Sequence, residues 1–365
     1  MRTPLLLLPL ILILCVAPLF GQTTAVAFYD LGNDLYKQQD YAGAIVNYSK
    51  AIALDPKYVE AYRSRGHTRE LNKNYAGAII DFTKLIEFLP ADADAYYRRG
   101  HAKMKMGDSK GASDDYAKTI ELDPQHAKAF YYRGVIRGFN LDSAGEIADY
   151  TKAIELDAKF DTAFYSRGVA RRLKGDVDGA VADYTEAIRV NPNLILAYMH
   201  RAVERSNKMD YDGAIADYTK VIELDTKNVD AYDRRGEARF SKKDYRNAIV
   251  DLTKVLELDP KRMNVYASRA LAKGFIGDLN GAIADQSKSL AAYPNVKGYT
   301  QLGVLKHVNK DYAGAAADFT KAIEMSPDYA LLHTLYKNRA TSYRALNDLK
   351  KAKADDKRAA KLLKQ

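Results

Sequence analysis

The chain alternates between two apolar stripes. Phe28, Leu31, Gly32 and Leu35 fall at helical spacing, and so do Ala44, Ile45, Tyr48, Ala51 and Ile52 a little further on. Each stripe covers one face of an amphipathic helix. Between them stands Asp40, whose side-chain oxygen is suited to accept a backbone N–H left unpaired at a helix start. The second stripe ends at Leu54-Asp55-Pro56, because proline drives the residue before it out of helical geometry. The pattern predicts a helix, a turn, a second helix and a stop.

That unit returns every 34 residues. Tyr41-Ala42-Gly43-Ala44-Ile45 recurs as Tyr75-Ala76-Gly77-Ala78-Ile79, and in close variants at Val177, Tyr211 and Leu279. A small residue recurs as Gly32, Gly66, Gly100, Gly134, Gly168, Ala202, Gly236, Ala270, Gly303 and Ala340, which makes ten copies. It is small because the two helices of a pair must approach closely there. The capping position reads Asp40, Asn74, Asp108, Asp142, Asp176, Asp210, Asp244, Asp278, Asp311 and Asp348. One residue is missing near Asn295 and three are inserted near Ala330. Copy four departs from the plan: Glu146 stands where Ala44, Ala78 and Ala112 stand in the first three copies. Either a nearby arginine such as Arg137 neutralises it, or this copy is a soft joint.

Phe28-x2-Leu31-Gly32-x2-Leu35, Ala44-x3-Tyr48 and Pro56 resemble the tetratricopeptide repeat, over roughly residues 25–365. The resemblance implies an all-α chain: an α–α superhelix, or solenoid, of antiparallel helix pairs whose first helices line a concave face. Stability is then a sum of neighbour interfaces, with one continuous core and no internal domain boundary. The family's carboxylate clamp is disfavoured. Asn33 matches one member of that set, whereas Tyr29, Ser64 and Asp94 occupy other positions of it.

Comparison among the copies reveals a charge pattern. Eight copies carry Arg before the small residue, and each also carries Asp sixteen positions later. The pairs are Arg65/Asp81, Arg99/Asp115, Arg133/Asp149, Arg167/Asp183, Arg201/Asp217, Arg235/Asp251, Arg269/Asp285 and Arg339/Asp355. Copy nine has Asp318 with Leu302, so that aspartate is expected to stand alone. A charge inside a helix interface needs a partner, so the pairs are expected to be structural bridges, not ligand contacts. A second basic row lies four residues on: Arg69, Lys103, Arg137, Arg171, Arg205, Arg239, Lys273 and Lys306. Its acidic partners are expected on adjacent helices.

The ligand-facing position of the first helices reads Tyr97, Tyr131 and Tyr165 in copies three to five. With Arg63, His67, Arg98, His101, Tyr132, Arg172, Met199 and His200 it is expected to form an aromatic, basic groove for an extended peptide with acidic or aromatic side chains. Tyr and Arg are the residue types enriched at binding hot spots. Asp230, Asp233 and Glu237 reverse the sign further along.

The remaining features set class and address. The 365 residues carry a net charge of +9, one Cys and no Trp. Arg2 precedes an apolar run over residues 5–20, read as a signal peptide of residues 1–21 with cleavage after Gly21. The lone Cys15 would leave with it. An uncleaved anchor is the alternative, making the protein a membrane-anchored assembly factor; a polyanion- or glycan-binding module is another. Catalytic and metal motifs are missing, so no enzyme, metal or cofactor is expected. His67 and His101 share one position without a third ligand beside them. Nucleic acid is disfavoured, because the basic surplus is concentrated in the last helix. That helix reads as a polar cap, with membrane contact open to it or to the N-terminus. The sequon at Asn47 lies on a packed helix and is not expected to be modified.

Overall fold

The computed structural model describes residues 24–325 and 332–363. Among these it shows twenty α-helices and no strand, so the chain is all-α. It divides into two compact units, one ending at Ala158 and the other beginning at Lys159. The first holds α1 (Ala25–Lys37), α2 (Tyr41–Leu54), α3 (Val59–Leu71), α4 (Tyr75–Phe88), α5 (Ala93–Lys105), α6 (Ser109–Leu122), α7 (Ala127–Phe139) and α8 (Ser143–Leu156). The second holds α9 (Asp161–Leu173), α10 (Val177–Val190), α11 (Ile195–Asn207), α12 (Tyr211–Leu224), α13 (Val229–Ser241) and α14 (Tyr245–Leu258). It continues with α15 (Asn264–Phe275), α16 (Leu279–Ala292), α17 (Val296–Val308), α18 (Tyr312–Met325), α19 (Leu332–Ala345) and α20 (Leu349–Leu362). The repeat by itself predicts one uninterrupted core. The boundary between the units falls at the end of copy four, the copy that carries Glu146 and has Ala158 where Pro56, Pro90 and Pro124 stand in the copies before it.

Each pair forms for local reasons. All ten capping side chains accept the backbone N–H three residues on, at 2.8–3.4 Å. The residue before each cap adopts positive φ and ends the first helix in left-handed geometry. Only Gly107, Gly175 and Gly277 are glycines there; seven others, Leu141 among them, accept the strain. Asp55 is extended before Pro56, which closes α2. The small residue faces an aromatic ring of the second helix. A Cβ on Gly66 would lie 2.9 Å from Phe82, and one on Gly168 would lie 2.7 Å from Tyr184. Tyr48, Phe82, Tyr116, Tyr184, Tyr218 and Phe319 fill the core of their pairs and are fully buried.

The signal-peptide region and the insertion near Ala330 lie outside the described residues. The deletion is absorbed by Asn295, which caps α17 through the Gly298 N–H at 2.7 Å. In α20 only Ala352, Asp355 and Ala359 are buried, and its lysines face outward. No helix among the described residues is long and apolar enough to cross a membrane. Asn47 is buried, its amide donating to the Gly43 carbonyl at 2.8 Å.

Candidate functional site

Behind the first-helix faces runs an ion-pair ladder. Each of the eight arginines grips the aspartate sixteen residues on, with closest contacts of 2.7–2.8 Å. The guanidinium donates through Nε and Nη2 together, as from Arg201 to Asp217 at 2.9 and 2.7 Å. Its flat face lies over the aromatic ring three residues earlier, Tyr62 under Arg65 and Tyr232 under Arg235. The remaining Nη1 reaches back to a hydroxyl of the preceding copy. Arg65 meets Ser49, Arg99 meets Thr83, Arg201 meets Thr185 and Arg235 meets Thr219, at 2.9–3.3 Å. One side chain therefore ties its own pair together and joins it to the pair before. This hydroxyl row was legible in the sequence as Ser49, Thr83, Thr185, Thr219 and Thr253, each sixteen residues before its arginine; Ala117 interrupts it before Arg133.

The second basic row turns to the same aspartates. Arg69 meets Asp81 at 2.7 Å, Lys103 meets Asp115 at 2.8 Å, Arg205 meets Asp217 at 2.8 Å and Arg239 meets Asp251 at 2.7 Å. Arg137, Arg171, Lys273 and Lys306 do likewise with Asp149, Asp183, Asp285 and Asp318. Asp318 is thus not alone: Lys306 stands 2.7 Å away. Eight ladder arginines and eight second-row cations thus share nine aspartates.

Burial alone would push the Asp285 carboxyl up, but hydrogen bonds from Arg269 and Lys273 outweigh it and hold it below the usual carboxylate range. A depressed carboxylate adds stability above its unfolded value, about pH 4, and loses it as the pH falls through the folded value. The stability gap between the natural protein and Asp285→Asn is therefore expected to be full at pH 7 and to close below about pH 4. Urea unfolding of both proteins across that range checks it; a gap independent of pH would contradict it.

On the first-helix face of the first unit, rings meet rings. Tyr97 lies 4.5 Å from His126 and 6.2 Å from Tyr132, centroid to centroid. Tyr132 stacks on Tyr116 at 5.8 Å and touches Tyr131 at 5.2 Å and His101 at 5.6 Å. Tyr97, Tyr131 and Tyr132 are half-buried, whereas Tyr116 beneath them is fully enclosed. Burial raises the Tyr97 and Tyr132 hydroxyl pKa values, so both stay protonated. In the second unit the Tyr165 hydroxyl lies 3.2 Å from His200 Nε2, and Tyr184 lies against both rings. Burial, then Arg172, pushes the His200 imidazole pKa down; burial and Arg98 do the same to His67. The Tyr184 hydroxyl is buried with no hydrogen-bond partner among the described residues.

The cations expected to make this face basic have carboxylates of their own. Arg63 pairs with Asp92 at 2.7 Å, and Arg98 with Asp94 at 2.7 Å. His101 Nδ1 meets Glu70 at 2.9 Å, and Arg172 meets Glu204 at 2.5 Å. Further along, Arg262 takes both Asp230 and Asp233, and Arg234 takes Glu237. Neither the expected basic lining nor the expected reversal of sign is left unpaired. These partners sit 28–32 residues apart or on their own turn and do not recur between copies, so no comparison of copies exposes them. Met199 packs into the cores around Tyr198 and Tyr218. No group of three or more His, Cys, Asp or Glu among the described residues is placed to hold a metal ion.

Glu146 does not meet Arg137, which is taken by Asp149. Its carboxylate fills the space above Gly138, where a Cβ would come within 2.5 Å of it. Burial raises the Glu146 pKa despite a hydrogen bond from Tyr150.

The family model described as "TPR repeat" matches residues 32–73. Models described as "Tetratricopeptide repeat" match residues 93–126, and residues 161–194, 229–262 and 296–329. Among solved structures, the C-terminal part of a TPR repeat-containing protein from Cytophaga hutchinsonii is 20% identical, covering 65% of this chain and 97% of its own, with a TM-score of 0.56. That likeness is one of fold. YrrB, described as a TPR protein with an unusual peptide-binding site, is 23% identical over 52% of this chain and 97% of its own, with a TM-score of 0.47. MamA is 28% identical over 45% of this chain and 95% of its own, with a TM-score of 0.43. No curated protein matches the chain.

Proposed function

The chain belongs to the tetratricopeptide repeat family, and on that premise we propose that it is an exported, non-enzymatic scaffold that recruits a protein or extended peptide through its first-helix faces. The observation that carries this reading is the ring cluster of Tyr97, Tyr131 and Tyr132. These side chains stay half-open to solvent while the second-helix tyrosines close the core beneath them. Large, stiff, amphipathic rings give contact area at small entropic cost. Because Arg63, Arg98 and Arg172 are already paired, the face favours neutral aromatic and apolar side chains over acidic ones. The second-row cations are half-buried and paired inside the helix pairs, which argues against a polyanion partner on these faces. The apolar run over residues 5–20 supports export; N-terminal sequencing of the mature protein, beginning after Gly21 or at Met1, distinguishes a cleaved leader from an anchor.

Selection from a random peptide display library tests the face. Selected peptides are expected to be rich in Phe, Tyr and Trp, and to bind with little dependence on salt. Their affinity should fall at least about tenfold in the Tyr97→Ala/Tyr131→Ala/Tyr132→Ala variant. Equal binding by both proteins removes the assignment, and a steep loss with added salt moves it to polyanions.

A further inference from the structure

Copy eight lacks the rings that copy three displays. Tyr116, Tyr97, Tyr132 and Met104 of copies three and four correspond in register to Gln286, Ala267, Gln301 and Gly274. Four large side chains that meet in copies three and four are replaced by smaller ones. In their place the structure holds a cavity of about 390 Å³ between α15 and α17, floored by Ala270, Gly274 and Gln286. Its walls are Leu271, Phe275, Val304, Leu305 and Val308. Phe275 is 62% exposed and Val308 59%, so the socket leaves apolar surface facing water. A second cavity of about 340 Å³ adjoins it through Leu271, where copy seven has Leu252 instead of tyrosine. The volume lies in the range of pre-formed small-ligand sites.

The electrostatics select the occupant. Arg269 and Lys273 are bound to Asp285, and Lys306 to Asp318, so no cation is left to face the cavity from the ladder behind it. Gln286 is buried, and its amide donates to the Gly298 carbonyl at 3.3 Å. The lining is neutral and offers hydrocarbon on both sides of a slot that elsewhere holds the chain's own rings.

We propose that the cavity between α15 and α17 is a socket for a neutral aromatic side chain of a peptide partner, which takes the place of the tyrosine that copy eight lacks. The proposal rests on the reading that first-helix faces receive peptides, but it concerns a separate place, so each can fail alone. N-acetyl-L-phenylalaninamide is the probe, followed by saturation-transfer NMR and by the methyl signals of Leu271, Val304, Leu305 and Val308. Binding in the millimolar range that shifts those methyls is expected. Gln286→Tyr should restore the ring present as Tyr116, Tyr184 and Tyr218 and weaken the probe at least tenfold. Should that variant not fold, Gly274→Met, which copies Met104, carries the same test. The Tyr97→Ala/Tyr131→Ala/Tyr132→Ala variant should bind the probe as the natural protein does, and Gln286→Tyr should keep the library-selected peptides of the first unit. Absence of binding up to the probe's solubility, binding by the socket variants as tight as that of the natural protein, or equal binding of the acidic control N-acetyl-L-glutamic acid α-amide would each overturn the proposal.

Discussion

Replacing Asp217 by alanine is expected to destabilise its part of the second unit by about 3–5 kcal/mol, the cost of leaving a buried charge without its partner. Asp217 is buried and accepts three hydrogen bonds, two from Arg201 and one from Arg205. Once it is removed, the Arg201 guanidinium keeps Thr185 and the Tyr198 ring but has no counter-charge. Arg205→Ala is expected to cost far less, about 1 kcal/mol, because the doubly hydrogen-bonded Arg201–Asp217 pair survives and Arg205 is partly solvated. The asymmetry follows from one carboxylate serving two cations. Replacing Arg201, Arg205 and Asp217 together by apolar residues of similar size should recover much of the loss, since an intact buried pair returns little more than its desolvation cost. In an array stabilised by neighbour contacts, amide exchange in α11 and α12 is a sharper readout than one melting temperature. Equal protection in Asp217→Ala and Arg205→Ala would show that the second cation matters as much as the first, contrary to the geometry.

The fold was legible because ten copies serve as an internal alignment. A cap recurring at Asp40 and its equivalents, a small residue recurring at Gly32, and an Arg matched by Asp at a fixed spacing each repeat often enough to carry structure. The second row was also within reach. Lys306 persists in copy nine although the ladder arginine has become Leu302, which ties the row to Asp318 and not to the arginine. The left-handed turn residue was hidden, because only three of its ten occupants are glycine and a single strained residue is tolerated at modest cost. The neutralisation of the ligand face was hidden for a different reason. Asp92, Glu70 and Glu204 reach their cations from places occupied once each, and a site is specific where its residues do not repeat. The same logic exposed the socket in copy eight, visible only as a simultaneous loss of rings at positions that meet in space.

Copy four offers the second large expected effect, a coupling between Gly138 and Glu146 of about 2 kcal/mol in a double-mutant cycle. In copy three the same two positions are Met104 and Ala112, so the large side chain and the small one have changed helices. Gly138→Met alone should destabilise by about 1–2 kcal/mol, because its first side-chain atom would come within 2.5 Å of the Glu146 carboxylate and drive it from the Tyr150 hydroxyl. Glu146→Ala alone exchanges the cost of a half-buried carboxylate for an unfilled space and should come out near neutral. Together they restore the copy-three arrangement, and the helix gains the roughly 1 kcal/mol that glycine forfeits in a helix interior. Burial raises the Glu146 pKa, so the native state holds that proton more tightly than the unfolded chain. Its cost is absent below the ordinary glutamate range, about pH 4, and appears as the pH rises through the raised value. The advantage of the double variant should therefore be larger at pH 7 than at pH 4, by urea unfolding at both. Additive single effects, or an advantage independent of pH, would mean that Glu146 reaches solvent and that the glycine opposite it has another cause.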